Sequence, residues 1–167
     1  MSGLLGAAVV VAGLLAPVLD VPSGGEPSVT PAHVFPIVGP HDLGRSATNG
    51  FGGGRGHQGQ DMFADCGTPL VSASDGIVRR AVSGDPAAGN HLVIEDAVTH
   101  DDYVYMHLQH APRPDVGDRV AVGERLGEVG RSGNAQGCHL HFEVWSPPGW
   151  ERGVVRDPFA LLRRWDG

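Results

Sequence analysis

Between residues 102 and 108 the chain reads DYVYMHL, and between 138 and 145 it reads CHLHFEVW. Both runs change character from one residue to the next, as a strand with two unlike faces does. In the second run Leu140 and Phe142 fall on one face, and His139 and His141 fall on the other. GIVRRAV at 76–82 and HLVIED at 91–96 read as two further strands, the second bounded by Gly89-Asn90. VFPIV at 34–38 reads as an entry strand, and CGTPLVSAS at 66–74 as a turn leading into a short strand. VGDRVAVGERLGEVG at 116–130 sets Val and Leu between Gly-Asp and Gly-Glu turns, a hairpin pattern. VRDPFALLRRW at 155–165 predicts one short closing helix begun near Asp157-Pro158, because proline suits the first helical position. The sum is a mostly β fold, an antiparallel sheet or sandwich rich in hairpins.

The N-terminal region has a different texture. Residues 4–19 read LLGAAVVVAGLLAPVL, an uncharged run. Its length lies between that of a signal-peptide core and that of a relaxed membrane span. We read residues 1–20 as a signal peptide or membrane anchor, although no Lys or Arg precedes the run. Residues 21–33 are polar and rich in Pro and Gly, the composition of a linker. The folded domain is then 34–167, the size of a single domain. Its 26 Gly and 13 Pro, counted over the whole chain, agree with many turns.

A net charge of -7 repels polyanions, which argues against a nucleic-acid partner. Nine His is a high count for 167 residues, and imidazole is the commonest metal ligand among side chains. Three placements stand out. His139 and His141 share one strand face, as cleft residues or as part of a solvated strand. His57 and Asp61 sit four apart in HQGQD; Gly56 and Gly59 disfavour a helix, and on an extended segment the two again share a face. This too fits a plain polar loop. His107 in YVYMHL shares a face with Tyr103 and Tyr105 if its strand is regular, either packed on them or handling protons at the strand end. Together these positions supply two His and one Asp with a further His alongside. A catalytic zinc takes three protein ligands and leaves a fourth position open. The Gly-rich NGFGGGRG at 49–56 lacks the phosphate-loop pattern, and the chain has no HExxH.

Five pieces in order make the sequence similar to the M23 metallopeptidases, the lysostaphin and LytM type of peptidoglycan endopeptidase. GHQGQD resembles the family's HxGxD, CGTPLVSASDGIV its strand pair, and NHLVIED its central strand. YMHL resembles YxHL, and VGDRVAVGERLGEVGRSGNAQGCHLHFEVW its last hairpin and HLHFE. The likeness runs from about Phe35 to Trp145, and DPFALL resembles the closing segment. It implies the lysostaphin-type fold, a zinc metallopeptidase domain over 34–167 and one zinc ion per chain. It implies that His57, Asp61 and His141 bind the metal. His139 and His107 would assist catalysis, His139 nearer the water and His107 nearer the oxyanion. Glu143 would either steady a ligand or lie on the surface. The implied substrate is peptidoglycan peptide, cut outside the cytoplasm by a monomer, secreted or held at the membrane by its N-terminus. The alternative is a cell-wall binding or amidase-activating module on the same fold. Cys66 and Cys138 resemble a subgroup with CGTP and CHLHFE, in which a bridge would tie the two metal-bearing segments together. Asp96 stands where the family often has His or Asn. The hairpin also resembles biotinyl and lipoyl carriers, but it has no Lys at a tip.

Overall fold

The computed structural model describes residues 33–44, 46–54 and 56–167. The expected signal or anchor over 1–20 lies outside the described residues, as does the linker up to residue 32. Among the described residues no helix is long and apolar enough to cross a membrane.

The described residues form nine strands and one helix in order: β1 Gln60–Phe63, β2 Pro69–Val71, β3 Gly76–Asp85, β4 Gly89–Asp96, β5 Asp102–Leu108, β6 Arg119–Val120, β7 Arg125–Glu128, β8 His139–Trp145, β9 Val155–Arg156 and α1 Phe159–Trp165. The main sheet runs β1-β8-β5-β4-β3-β6, with β9 also on β8, and β2 pairs with β7 in a small second sheet. Every named pairing is antiparallel. The core lies between the sheets. Leu92, Ile94, Tyr103, Tyr105, Leu140 and Phe142 from the main sheet cluster with Leu70 and Leu126 from the small one. The Tyr105 hydroxyl accepts a hydrogen bond from Ala73 N at 2.9 Å and the Tyr103 hydroxyl bonds His33 Nε2 at 3.2 Å, so both polar tips in this region are satisfied. Val93, Val104, Met106 and Trp145 form a second cluster on the opposite face of the sheet.

Three sequence expectations change here. The 34–38 segment lies antiparallel to β2 but keeps only one isolated bridge, Ile37 to Leu70, since Pro36 has no N–H to donate. The expected 116–130 hairpin is open: β6 pairs with β3 and β7 with β2, so the turn between them carries the chain from one sheet to the other. Pro158 is the cap of α1 rather than its first residue, and Asp157 Oδ1 accepts from Phe159 N at 2.9 Å. Arg163 and Arg164 occupy the last turn, where positive charge suits the helix dipole.

Cys66 and Cys138 are bonded, closing a loop of sequence separation 72. Cys66 follows β1 and Cys138 precedes β8, so the bridge fastens these two strands at one end. Replacing both cysteines by Ala should lower the stability of the metal-free protein by roughly 4 kcal/mol, the loop-closure value. Urea denaturation under oxidising conditions measures this; an unchanged midpoint would show that the bridge contributes nothing.

Candidate metal centre

The register of β1 on β8 sets Asp61 opposite His141 and Phe63 opposite His139. On the other side of β8, Met106 of β5 stands opposite His141. Opposed residues in an antiparallel pair carry their side chains on one face. Asp61, His141 and Met106 therefore form a row across three strands. His57 lies just before β1 and is brought onto the row because the backbone at Gly59 passes against β8. A Cβ there would stand 2.8 Å from His141 Nε2 and closer still to the Phe142 carbonyl, so the position requires glycine.

Three donor atoms converge. His57 Nε2 and Asp61 Oδ1 are 3.0 Å apart, His57 Nε2 and His141 Nδ1 are 3.0 Å apart, and His141 Nδ1 and Asp61 Oδ1 are 2.9 Å apart. The outer atom of each ring decides what the inner atom offers. His57 Nδ1 donates to the Gly50 carbonyl at 3.0 Å, leaving a lone pair on Nε2. His141 Nε2 donates to Glu143 Oε1 at 3.0 Å, leaving a lone pair on Nδ1. Two nitrogen lone pairs and a carboxylate oxygen in such close contact repel one another unless a positive charge lies among them. Burial lowers the His141 pKa, but its bonds to Asp61 and Glu143 outweigh this and raise it to about 9. Burial likewise pushes Asp61 up, and His141, with His139 and His57 behind it, holds it below the ordinary carboxylate range. A proton answers the demand for charge in part; a divalent metal ion answers it in full. His57, Asp61 and His141 form the cluster with metal-ligand geometry among the described residues.

His139 and His107 stand beside this cluster. His139 Nδ1 donates to the Gly137 carbonyl at 3.0 Å, and its Nε2 lies 3.7 Å from Asp61 Oδ1. The His107 and His139 ring centroids are 4.7 Å apart. His107 does not share a face with Tyr103 and Tyr105. Those tyrosines point into the core, whereas His107 adopts φ 67° and joins the cleft face. The pairing of β4 with β5 slips at the same place, between Asn90 and Leu92, and Leu108 takes the core position. A left-handed residue at a strand end is costly, and His tolerates it better than most. Ser132 holds the turned ring: its carbonyl accepts from His107 Nδ1 at 2.8 Å, and its hydroxyl donates to Leu108 O at 2.7 Å. Burial, then the neighbouring His139, lowers the His107 pKa to about 4. The ring is neutral at pH 7, with its Nε2 left for the cleft.

All five side chains line one cleft of about 770 Å³. Asn134 and Ala87, joined by a 2.9 Å backbone hydrogen bond, also line it, as do Gln136, Ala88, Trp150 and Glu151. The match to a known family covers residues 55–158, and the family is Peptidase family M23. The chain belongs to this family. ALE-1, a glycyl-glycine endopeptidase of Staphylococcus capitis, is 32% identical over 126 residues, 75% of this chain and 32% of that protein. The peptidoglycan DD-endopeptidase ShyC of Vibrio cholerae is 36% identical over 89 residues, 53% of this chain and 20% of that protein. The solved structure of lysostaphin from Staphylococcus simulans superposes with a TM-score of 0.63 at 28% identity, covering 70% of this chain and 48% of that one. The chain thus spans about a third or less of the length of the curated relatives it matches.

In this M23 domain the sequence reading missed Gly59, Ser132 and the partners of Glu143. Glu143 is 3% exposed, which settles its location beneath His141 rather than on the surface. Its second oxygen accepts from the indoles of Trp145 at 2.6 Å and Trp150 at 3.2 Å. Trp145 was readable as a same-face neighbour two residues on; Trp150 was not, because a loop brings it back. Glu143→Gln sets an amide against these donors and removes the charge behind His141. Metal affinity should fall by about 10–100-fold, the usual loss when a ligand's outer partner is changed. Competition against a chelator reads this directly, and an affinity equal to wild type would remove Glu143 from the centre.

Proposed function

We propose that the chain is a zinc metalloendopeptidase that cleaves peptide bonds in the stem or cross-bridge peptides of bacterial peptidoglycan, outside the cytoplasm and as a monomer. His57, Asp61 and His141 hold the single zinc ion, and His107 and His139 are the catalytic pair. The observation that carries this reading is the convergence of three lone pairs beside two further imidazoles in an open cleft. The donor set of two nitrogens and one carboxylate oxygen suits zinc. ALE-1 is a glycyl-glycine endopeptidase and ShyC a peptidoglycan DD-endopeptidase, and the same substrate class suits this cleft.

A zinc ion bound here supplies Lewis acidity, lowering the pKa of a water and polarising a carbonyl. The chain supplies the rest. Gly50 and Glu143 fix the two ligand rings by their outer nitrogens. Ser132 and Gly137 fix His107 and His139 in the Nδ1–H form, so both present Nε2 to the cleft. Both rings begin as acceptors at Nε2: His139, 3.7 Å from Asp61 Oδ1, is the nearer to the water and can take its proton, and a ring donates to the oxyanion or the leaving amine only once it has gained a proton. His107 is placed to share that proton and to face the oxyanion. The non-catalytic, amidase-activating reading loses ground because all five positions carry working side chains in bonding geometry.

Digestion of purified peptidoglycan, with fragments identified by mass, tests the proposal. Chelation should abolish cleavage and zinc should restore it. His57→Ala should lose both zinc and activity; full activity with full zinc content in this variant would sink the ligand assignment. His107→Asn and His139→Ala should keep their zinc while kcat falls by about 10²–10⁴-fold, the usual share of acid–base catalysis. Unchanged kcat would exclude them from the chemistry.

A further inference from the structure

The loop at 146–154 folds back over the cleft face of the sheet, and it is closely constructed. Ser146 N donates to Val154 O at 3.0 Å, and the Ser146 hydroxyl accepts from Val154 N at 3.1 Å. Gly149 adopts φ 98°, and a Cβ on it would fall on the Asp102 carboxylate. That close approach lets Asp102 Oδ2 accept from Trp150 N at 2.8 Å. The backbone of Trp150 is thereby anchored to the first residue of β5. Its indole N–H reaches down to Glu143 Oε2 at 3.2 Å. His91 packs edge-on against the ring, and the Arg80 guanidinium lies 4.6 Å from its centroid. Trp150 and Glu151 meanwhile form one wall of the cleft.

One side chain therefore touches both the cleft and the buried carboxylate that orients His141. Resting on the proposed zinc site, we propose that Trp150 is a positioning residue that couples the wall formed by loop 146–154 to the His141 ligand through Glu143. Two physical effects run through the contact. The Trp150 indole N–H occupies the Oε2 lone pair that Trp145 leaves open, and the two indoles together fix which way Glu143 faces and where it receives the His141 proton. The ring also covers the carboxylate, keeping solvent from a charge whose bond to His141 strengthens in a dry setting. A peptide pressed against this wall would steady the ligand from behind, so seating at that end of the cleft and metal orientation are linked.

Trp150→Phe keeps a ring on the wall and removes only the N–H. Its metal-free form should melt within a few degrees of wild type, while its zinc affinity, read by chelator competition, should fall about tenfold, the low end for an outer partner. At saturating zinc its kcat should fall several-fold with KM nearly unchanged, whereas Trp150→Ala should also raise KM. Gly149→Ala is an independent second variant: it displaces the Trp150 backbone from Asp102 without altering the indole, and it should weaken zinc in the same way. Wild-type zinc affinity in both Trp150→Phe and Gly149→Ala would overturn the coupling. So would a fall in affinity that only matches the lost stability of the metal-free fold. If wild type itself bound no zinc, the proposed function would fail; if wild type binds zinc and both variants match it, only the coupling fails.

Discussion

Strand β8 must satisfy two environments at once, and the rest of the molecule is arranged around that demand. Leu140, Phe142 and Val144 are fully buried in the core between the sheets. His139, His141, Glu143 and Trp145 lie on the opposite face. Burial of each large apolar side chain is worth about 1.5–3 kcal/mol. A slip of one residue would drive two imidazoles and a carboxylate into the core and lift three apolar groups out of it. The hydrophobic core thus locks the register that carries the chemistry. Once β8 is fixed, β1 on one side delivers Asp61 opposite His141, and β5 on the other brings His107 alongside His139.

The four site histidines are held by backbone carbonyls and one buried carboxylate more than by one another. Gly50, Gly137 and Ser132 each accept an Nδ1–H from a site histidine, and Glu143 accepts the Nε2–H of His141. These four bonds choose the tautomers. They leave two lone pairs, on His57 and His141, converging with Asp61, and two more, on His107 and His139, for the cleft. Close packing at Gly59 and the Cys66–Cys138 bridge keep the segment of His57 and Asp61 against β8. The site is therefore preorganised by elements that never touch a substrate.

Much of this was legible in the sequence, for a physical reason. The two unlike faces of CHLHFEVW and the aromatic and β-branched residues of DYVYMHL located β8 and β5, strands that are buried along their whole length. The His57–Asp61 spacing was likewise readable once Gly56 and Gly59 removed the helical option. What escaped were departures from regularity. His107 leaves its strand's alternation by a left-handed turn that no period-2 rule anticipates. The partners of β6 and β7 depend on a crossing between sheets, and a local turn pattern looks the same for a hairpin. Pro36 reduces the entry strand to one bridge. Trp150 reaches Glu143 through tertiary folding alone, so no spacing in the chain announces it.

The central claim is that a metal ion sits among His57, Asp61 and His141 with an open position. X-ray absorption at the zinc edge on the zinc-loaded protein tests it most directly. The predicted first shell holds two imidazole nitrogens and light oxygen scatterers at about 2.0–2.2 Å, four-coordinate, with one oxygen exchangeable for an added inhibitor. Both cysteines are bonded to each other, so no sulfur belongs in that shell. A sulfur scatterer at about 2.3 Å, or a shell with fewer than two imidazoles, would contradict the account.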